Sequence, residues 1–487
     1  MPIAFSRMLP LAAALVLALG GCASSLDRRQ EDVMAASTVT VPMTWLAASG
    51  GLREAALSPG ELAAWWRQFG DATLERLVEA ALEAAPDARI AQARLRQSRA
   101  MRDLAEANLY PSLGVSAGAS RSRSAGTSQT TYSAGFDASW EPAIFGSGLA
   151  EAAEAARAET QAALADLDST RASLAAEVAL EYVNLRAGQR RLAVVTANVE
   201  SQAETLQITE WREMAGLVTR LDVEQARANL EQSRASLPSL QSSITEAANR
   251  LSVLIGQAPG RLLEDLGDAE AKPLPAAPDS IAVGIPADTL RQRPDVRAAE
   301  YTLRAEIARS MQSEAARLPS LSLSGSLGWR AGRISALDGA NLVRSLAASL
   351  TAPLLDAGRI EARIAAQAAA QDQAFASWEK SLLTALEDVQ NAMAAYANGR
   401  ERLDARRRAA AAAAAAAELA SAQYQAGLVD FQRVLETERT RLSAEDSLAS
   451  AEADVLTAVV QLYKALGGGW SHSESDSETA STEPSPS

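Results

Sequence analysis

The feature that most limits what this chain can fold into is that it is written twice. Tyr110-Pro111-Ser112-Leu113 returns as Leu318-Pro319-Ser320-Leu321 at an offset of 208, and Pro86-Asp87-Ala88-Arg89 returns as Pro294-Asp295-Val296-Arg297 at the same offset. Further on the offset becomes 211, pairing Gly188 with Gly399, Leu192 with Leu403, Gly216-Leu217-Val218 with Gly427-Leu428-Val429, and Ile255-Gly256 with Leu466-Gly467. One three-residue insertion in the second copy accounts for the change. A tandem unit of about 200 residues has to be recognised before any fold is assigned.

Each copy opens with a stretch that alternates. In the first, Leu113, Val115, Ala117 and Ala119, then Tyr132, Ala134, Phe136, Ala138 and Trp140, oppose Gly, Ser, Asp and Glu on the other parity. In the second, Leu321, Leu323, Leu327 and Trp329, then Leu346, Ala348 and Leu350, alternate with Ser, Gly and Thr and end at Pro353. Period two means strands with one apolar and one polar face. Arms of roughly 10 residues match tilted bilayer-crossing strands, although a soluble sandwich hairpin shares the pattern.

After each hairpin comes helical territory, with no proline from Gly148 to Met214 or from Gly358 to Gln425. Helical throughout, such a run is ~100 Å long. Val178, Leu185, Leu192, Val199 and Leu206 are spaced by sevens, as in a coiled-coil seam. The second copy keeps Val389, Tyr396 and Leu403 and then dissolves into an alanine run at 409–417, suited to close helix approach. Gly216 and Gly427 break the runs, and shorter helices return to Gly256 and Gly467. Pro86 and Pro294 mark either helix starts or kinks.

Composition removes whole function classes. Aromatics are only 4%, and the net charge of −14 argues against a nucleic-acid partner. The one histidine and one cysteine lie near the ends, so the body has no Cys/His metal site and no His-based triad; no cofactor and no enzymatic role are expected. Arg7 and the apolar run Leu9–Leu19 read as an export signal. Leu19-Gly20-Gly21-Cys22 resembles the bacterial lipobox, which implies a covalent N-terminal lipid on Cys22 and, with Ala23 and Ser24 following, outer-membrane sorting. The expected order is signal peptide 1–21, lipidated extension 22–64, first repeat 65–256 with strands about 112–142, Pro-rich linker 257–285, second repeat 286–467 with strands about 320–353, and an acidic, Ser-rich disordered tail 468–487.

Four strands per chain cannot close a barrel, and open sheet edges are not tolerated in lipid, so copies must pool strands. Even counts from 8 upward allow either two or three copies. With Cys22, Trp65-Trp66 through Asp71, Ile285 through Glu300, both Pro-Ser-Leu strand starts and Leu354-Leu355-Asp356-Ala357-Gly358, the chain resembles a TolC/OprM-type outer-membrane factor of the NodT-like lipoprotein branch. The resemblance implies a mainly α fold with a membrane β-barrel part: long helical hairpins forming a periplasmic tunnel, and a homotrimer with a 12-stranded barrel. It implies docking to a periplasmic adaptor and an inner-membrane RND transporter, and export of drugs or other small molecules. Type I protein secretion and a structural envelope lipoprotein are the alternatives. Pro142-Ala143 departs from the family's strand-to-helix junction.

The glycine turns Gly216 and Gly427 are expected at the periplasmic tip. Thr219 and Asp222 fit a capping box, while the position equivalent to Asp222 is Arg433, a cation that opposes the helix dipole. Glu436 and Arg439 are one turn apart and able to pair, and they match positions that relatives use to close this end. Asp222, Arg433, Glu436 and Arg439 are therefore the candidate gate.

Overall fold

A computed structural model describes residues 25–45, 52–53, 59–124, 126–262, 266, 274–278 and 280–470. The signal peptide, Cys22 and all of the tail beyond residue 470 lie outside the described residues. The chain forms two compact units. One comprises Met1–Val39, Ala93–Ala165 and Asp295–Ser381; the other comprises Thr40–Gln92, Asp166–Pro294 and Leu382–Ser487.

The fold is mainly helical, and its elements repeat. The first copy runs through helices Ala72–Ala84 and Pro86–Ala107, strands Ser112–Ser124 and Thr127–Trp140, a long helix Leu149–Met214 and a return helix Arg220–Leu254. The second runs through Pro286–Gln292, Pro294–Ala315, strands Ser320–Ala331 and Leu342–Thr351, a long helix Arg359–Gln425 and a return helix Phe431–Ala465. Pro86 and Pro294 are restarts rather than kinks. Ala85 leaves helical geometry at ψ 136°, and a new helix begins at the proline, whose missing N–H costs nothing at a first position. Among the described residues no helix is long and apolar enough to cross a membrane.

The first unit carries a four-stranded antiparallel sheet in which the two hairpins lie side by side, Thr127–Trp140 against Ser320–Ala331. Its register keeps the two parities apart across all four strands. Val115 faces Phe136, Phe136 faces Leu327, and Leu113, Ala138, Gly325 and Leu346 form another row. The opposite face holds a polar ladder: Ser116 Oγ donates to Asp137 at 2.5 Å, and Ser326 and Ser345 hydroxyls lie 2.7 Å apart. Where the hairpins meet, Gly135 and Gly328 are partners, and a Cβ built on Gly135 would stand 2.7 Å from the Cα of Gly328. Only glycine permits that approach. At the junction after the first hairpin, Pro142 O accepts from the Ile144 N–H at 2.7 Å, and Gly146 N–H donates to Pro319 O at 2.9 Å. In the same unit, residues 25–35 form a helix tied down by Arg29 to Glu314 and by Arg304 to Asp27.

The second unit holds the main core. Asp71 caps its first helix by accepting from the N–H groups of Thr73 and Leu74, and Leu74, Leu77, Val78 and Ala81 point inward at helical spacing. Trp65, fully buried, stacks on Tyr463 with centroids 5.5 Å apart and meets Trp66 and Phe69 edge-on. Arg293 is buried: its Nη1 donates to Ala465 O and its Nη2 to Asp388 Oδ2, both at 3.0 Å. The second return helix ends beside it on a left-handed Gly467 at φ 80°, with Gly468 N–H donating to Tyr463 O at 2.9 Å.

The second seam does not dissolve at the alanines. Val389, Tyr396, Leu403, Ala410, Ala417 and Tyr424 recur every seven residues and every one is buried. In the first copy the buried set shifts to Val195, Asn198, Gln202 and Thr209, while Val199 and Leu206 are only half-buried. That stretch of seam is polar.

Candidate functional site: the paired glycine turns

Both long helices end on a left-handed glycine, Gly216 at φ 73° and Gly427 at φ 75°. Leu217 N–H donates back to Arg212 O and Leu428 N–H to Gln423 O, both at 2.9 Å, while each glycine closes the shorter bond inside. These are Schellman turns. Nothing crowds either position, so the backbone angle alone demands glycine.

The helices leaving the turns are capped by different means. Asp222 Oδ2 accepts from the Thr219 N–H at 2.9 Å, and Thr219 Oγ1 accepts from the Asp222 N–H at 3.4 Å, a complete capping box. In the second copy the acid has moved to the cap itself: Asp430 Oδ1 accepts from the Arg433 N–H at 3.1 Å. That corrects the expectation that local stability leaves Arg433 unexplained. The negative charge favoured at a helix start is supplied by Asp430, and the Arg433 guanidinium turns forward to Glu436 at 3.0 Å.

The four candidates therefore separate into three contacts. Asp222 serves its own cap, Arg433 pairs with Glu436, and Arg439 bonds to neither acid. Its Nε donates instead to Asn229 Oδ1 at 2.8 Å, on the other return helix. Among the described residues no ion pair links Asp222 to Arg433 or Arg439. The Arg433–Glu436 pair is 59% and 69% exposed, which limits it to about 0–1 kcal/mol.

Stronger contacts come from residues that the sequence alone does not single out. Arg212, in the last turn of the first long helix, donates through Nη1 to Tyr424 O and through Nη2 to Gln425 O, both at 3.1 Å. Its guanidinium carbon lies 4.3 Å from the Tyr424 ring centroid. One copy's arginine thus gives a donor to Gln425 O and a second donor to Tyr424 O, which already accepts from the Gly427 N–H, at the end of the other copy's helix. Tyr424 packs on Phe431, and these join Ala226, Val434 and Leu435 in a small buried cluster. Above it Thr205 Oγ1 donates to Glu438 Oε1 at 2.9 Å. Burial pushes the Glu438 carboxyl up, against the Thr205 hydrogen bond and the Arg441 charge, which favour ionisation. Glu438 Oε2, Gln202 Oε1, Asn229 Nδ2 and the Tyr424 hydroxyl are buried without a hydrogen-bond partner among the described residues. A cleft of 570 Å³ opens beside Gln202 and Asn229, lined also by Arg191, Ser233, Arg439 and Asp446 among others. Arg191 and Asp446 pair across it at 2.7 Å. No group of acidic, His or Cys side chains that could hold a metal occurs among the described residues.

The sheet is the second candidate region. Its apolar face leaves Leu113 at 74% exposure, Val115 at 79% and Leu346 at 89%, with Phe136 and Leu327 beside them. An exposed apolar face of this kind marks a contact with protein or with lipid.

The family model described as outer membrane efflux protein matches residues 77–257 and 285–468. The pyoverdine export outer membrane protein OpmQ of Pseudomonas aeruginosa is 31% identical over 472 residues, covering 93% of this chain and 95% of that protein. Nodulation protein T of Rhizobium leguminosarum bv. trifolii is 29% identical over 415 residues, covering 84% of this chain and 88% of that one. The solved outer-membrane channel OprN superposes with a TM-score of 0.82 at 36% identity, covering 90% of this chain and 99% of that one.

Proposed function

This chain belongs to the outer membrane efflux protein family and is an outer-membrane channel of RND-type efflux systems, and we propose that it acts as a homotrimeric exit duct for drugs or other small molecules. The observation that carries this reading is the four-stranded sheet. One face is apolar and exposed, the other is a ladder of serine hydroxyls and Asp137, and the outer edges of strands Ser112–Ser124 and Leu342–Thr351 are unpaired among the described residues. In hydrocarbon those edges must be paired, and three copies do so by closing twelve strands with the apolar face toward lipid.

The helical part stands in the periplasm and meets a periplasmic adaptor and an inner-membrane RND transporter, which select the cargo. The duct itself is passive and is released at its glycine-turn end. Arg212, Arg439 and the Arg433–Glu436 pair hold this end shut as a weak network repeated in each copy; Asp222 contributes through its helix cap. A few kcal/mol in total keeps the open state rare yet accessible to the partner complex. Cys22 carries the lipid anchor.

Planar-bilayer recording of the purified protein tests the reading. Discrete conductance steps that widen when the adaptor is added are the expected result. A correctly folded preparation that never produces a step would leave no channel to discuss.

A further inference from the structure

We propose that the turn end of the apolar sheet face binds the phosphate groups of the outer leaflet's glycolipid through Arg121 and Arg123. The inference rests on the outer-membrane reading above.

The four strands contain five charged residues: Arg121, Arg123, Asp137, Arg330 and Arg344. The register divides them. Asp137 is the partner of Ser326 and Arg330 of Ser133, which puts both on the polar face. Arg121 and Arg123 continue the parity of Leu113, Val115, Ala117 and Ala119, and Arg344 is the partner of Leu327. Every charge on the apolar face is therefore a cation, in a chain whose net charge is −14.

The three do not share one level of the sheet: Arg344 lies in the row of Val115, Phe136 and Leu327, six residues along the strand from Arg121. Arg121 and Arg123 close their strand just before the turn at Gly126, and Arg344 is the third residue after the connection that links the second pair of strands. The three side chains are exposed, and none has a hydrogen-bond or ion-pair partner among the described residues.

Energetics locate such residues. An arginine on a lipid-facing strand position costs about 2–4 kcal/mol at mid-bilayer and about 0–1 near an interface. Arg344, between Leu342 and Leu346, stands within the apolar rows, whereas Arg121 and Arg123 lie directly beyond the stripe of their strand and mark where the hydrocarbon ends. Their guanidinium groups then lie in the plane of the headgroups, where the anion that suits a planar two-pronged donor is a phosphate. Continuity with the apolar face favours a membrane lipid over an acidic soluble protein, which would leave Val115, Ala117 and Ala119 uncovered.

The test measures lipid retained by the purified channel in neutral detergent, using native mass spectrometry. The probes are bisphosphorylated lipid A and the same lipid with both phosphates removed. Wild type should retain the bisphosphorylated form about tenfold or more over the other. The double variant Arg121→Ser, Arg123→Ser should lose that preference, while Arg330→Ser, on the opposite face, should keep it. Equal retention of the two lipids by wild type, a double variant that still discriminates, or the same loss in Arg330→Ser would each overturn the proposal. Should the double variant not assemble, the wild-type comparison still decides. Conductance in neutral-lipid bilayers separates this proposal from the reading it rests on: a silent wild-type protein sinks the channel, whereas a conducting one without phosphate preference sinks only the lipid site.

Discussion

At the residue scale, the turn end is held by a few arginines whose partners differ in kind. Among the described residues Arg433 reaches only to Glu436, one helical turn away and largely in water, whereas Arg439 crosses to Asn229 and Arg212 to the carbonyls of Tyr424 and Gln425. Arg439→Ala and Arg212→Ala should therefore raise resting conductance more than Arg433→Ala, by about 1–3 kcal/mol of lost closed-state stability against about 0–1. Single-channel open probability in assembled protein is the measurement, and equal effects from all three would count against the latch. Alkaline stability offers an independent check. Tyr182 donates to Asp71 Oδ2 at 2.7 Å, and burial first, then that hydrogen bond, pushes its hydroxyl up from 10.0 to about 12. Burial likewise carries Tyr463 to about 12. A raised folded value means the stabilisation is complete below the unfolded value and disappears as pH rises through the folded one. Thermal stability should hold to about pH 10 and fall steeply between about 10 and 12, and Tyr182→Phe should flatten that fall.

At the element scale, the sheet makes the sharpest forecast, because register fixes which side chains share a face. Phe136→Arg and Leu323→Arg fall on the apolar face and should impair assembly, by up to about 2–4 kcal/mol per site depending on depth. Ser133→Arg and Ser324→Arg fall on the polar face and should assemble normally but alter conductance; a heat-stable oligomer on gels separates the two classes. These faces were legible in the sequence, since period-two alternation survives in Leu, Ser and Gly alike. The helix pairing was only partly legible. The second seam fades from view at the alanine run because Ala410 and Ala417 are chemically identical to their exposed neighbours; only burial reveals that the heptad continues to Tyr424. The glycine turns and the Thr219 cap could be read from spacing, being local. Arg212 could not, because its partners lie more than 200 residues away, in the other copy.

At the scale of the whole molecule, two attachments to the outer membrane are expected: the lipid on Cys22 and the sheet. One acyl chain anchors marginally, so Cys22→Ser should abolish lipidation, seen by mass spectrometry of the mature chain, while leaving part of the channel activity. An unmodified wild-type N-terminus would remove the anchor from the account. The sheet order has a further consequence. Its two outer edges are different strands, Ser112–Ser124 on one side and Leu342–Thr351 on the other, so every joint in a ring of copies is made head to tail between unlike surfaces. A subunit damaged at one edge still offers a sound edge to its neighbour, is taken into the ring, and then prevents it from closing. Such an allele should poison its wild-type sibling: with equal expression of both, about one eighth of three-membered rings would be free of it, and drug sensitivity would behave as a dominant trait.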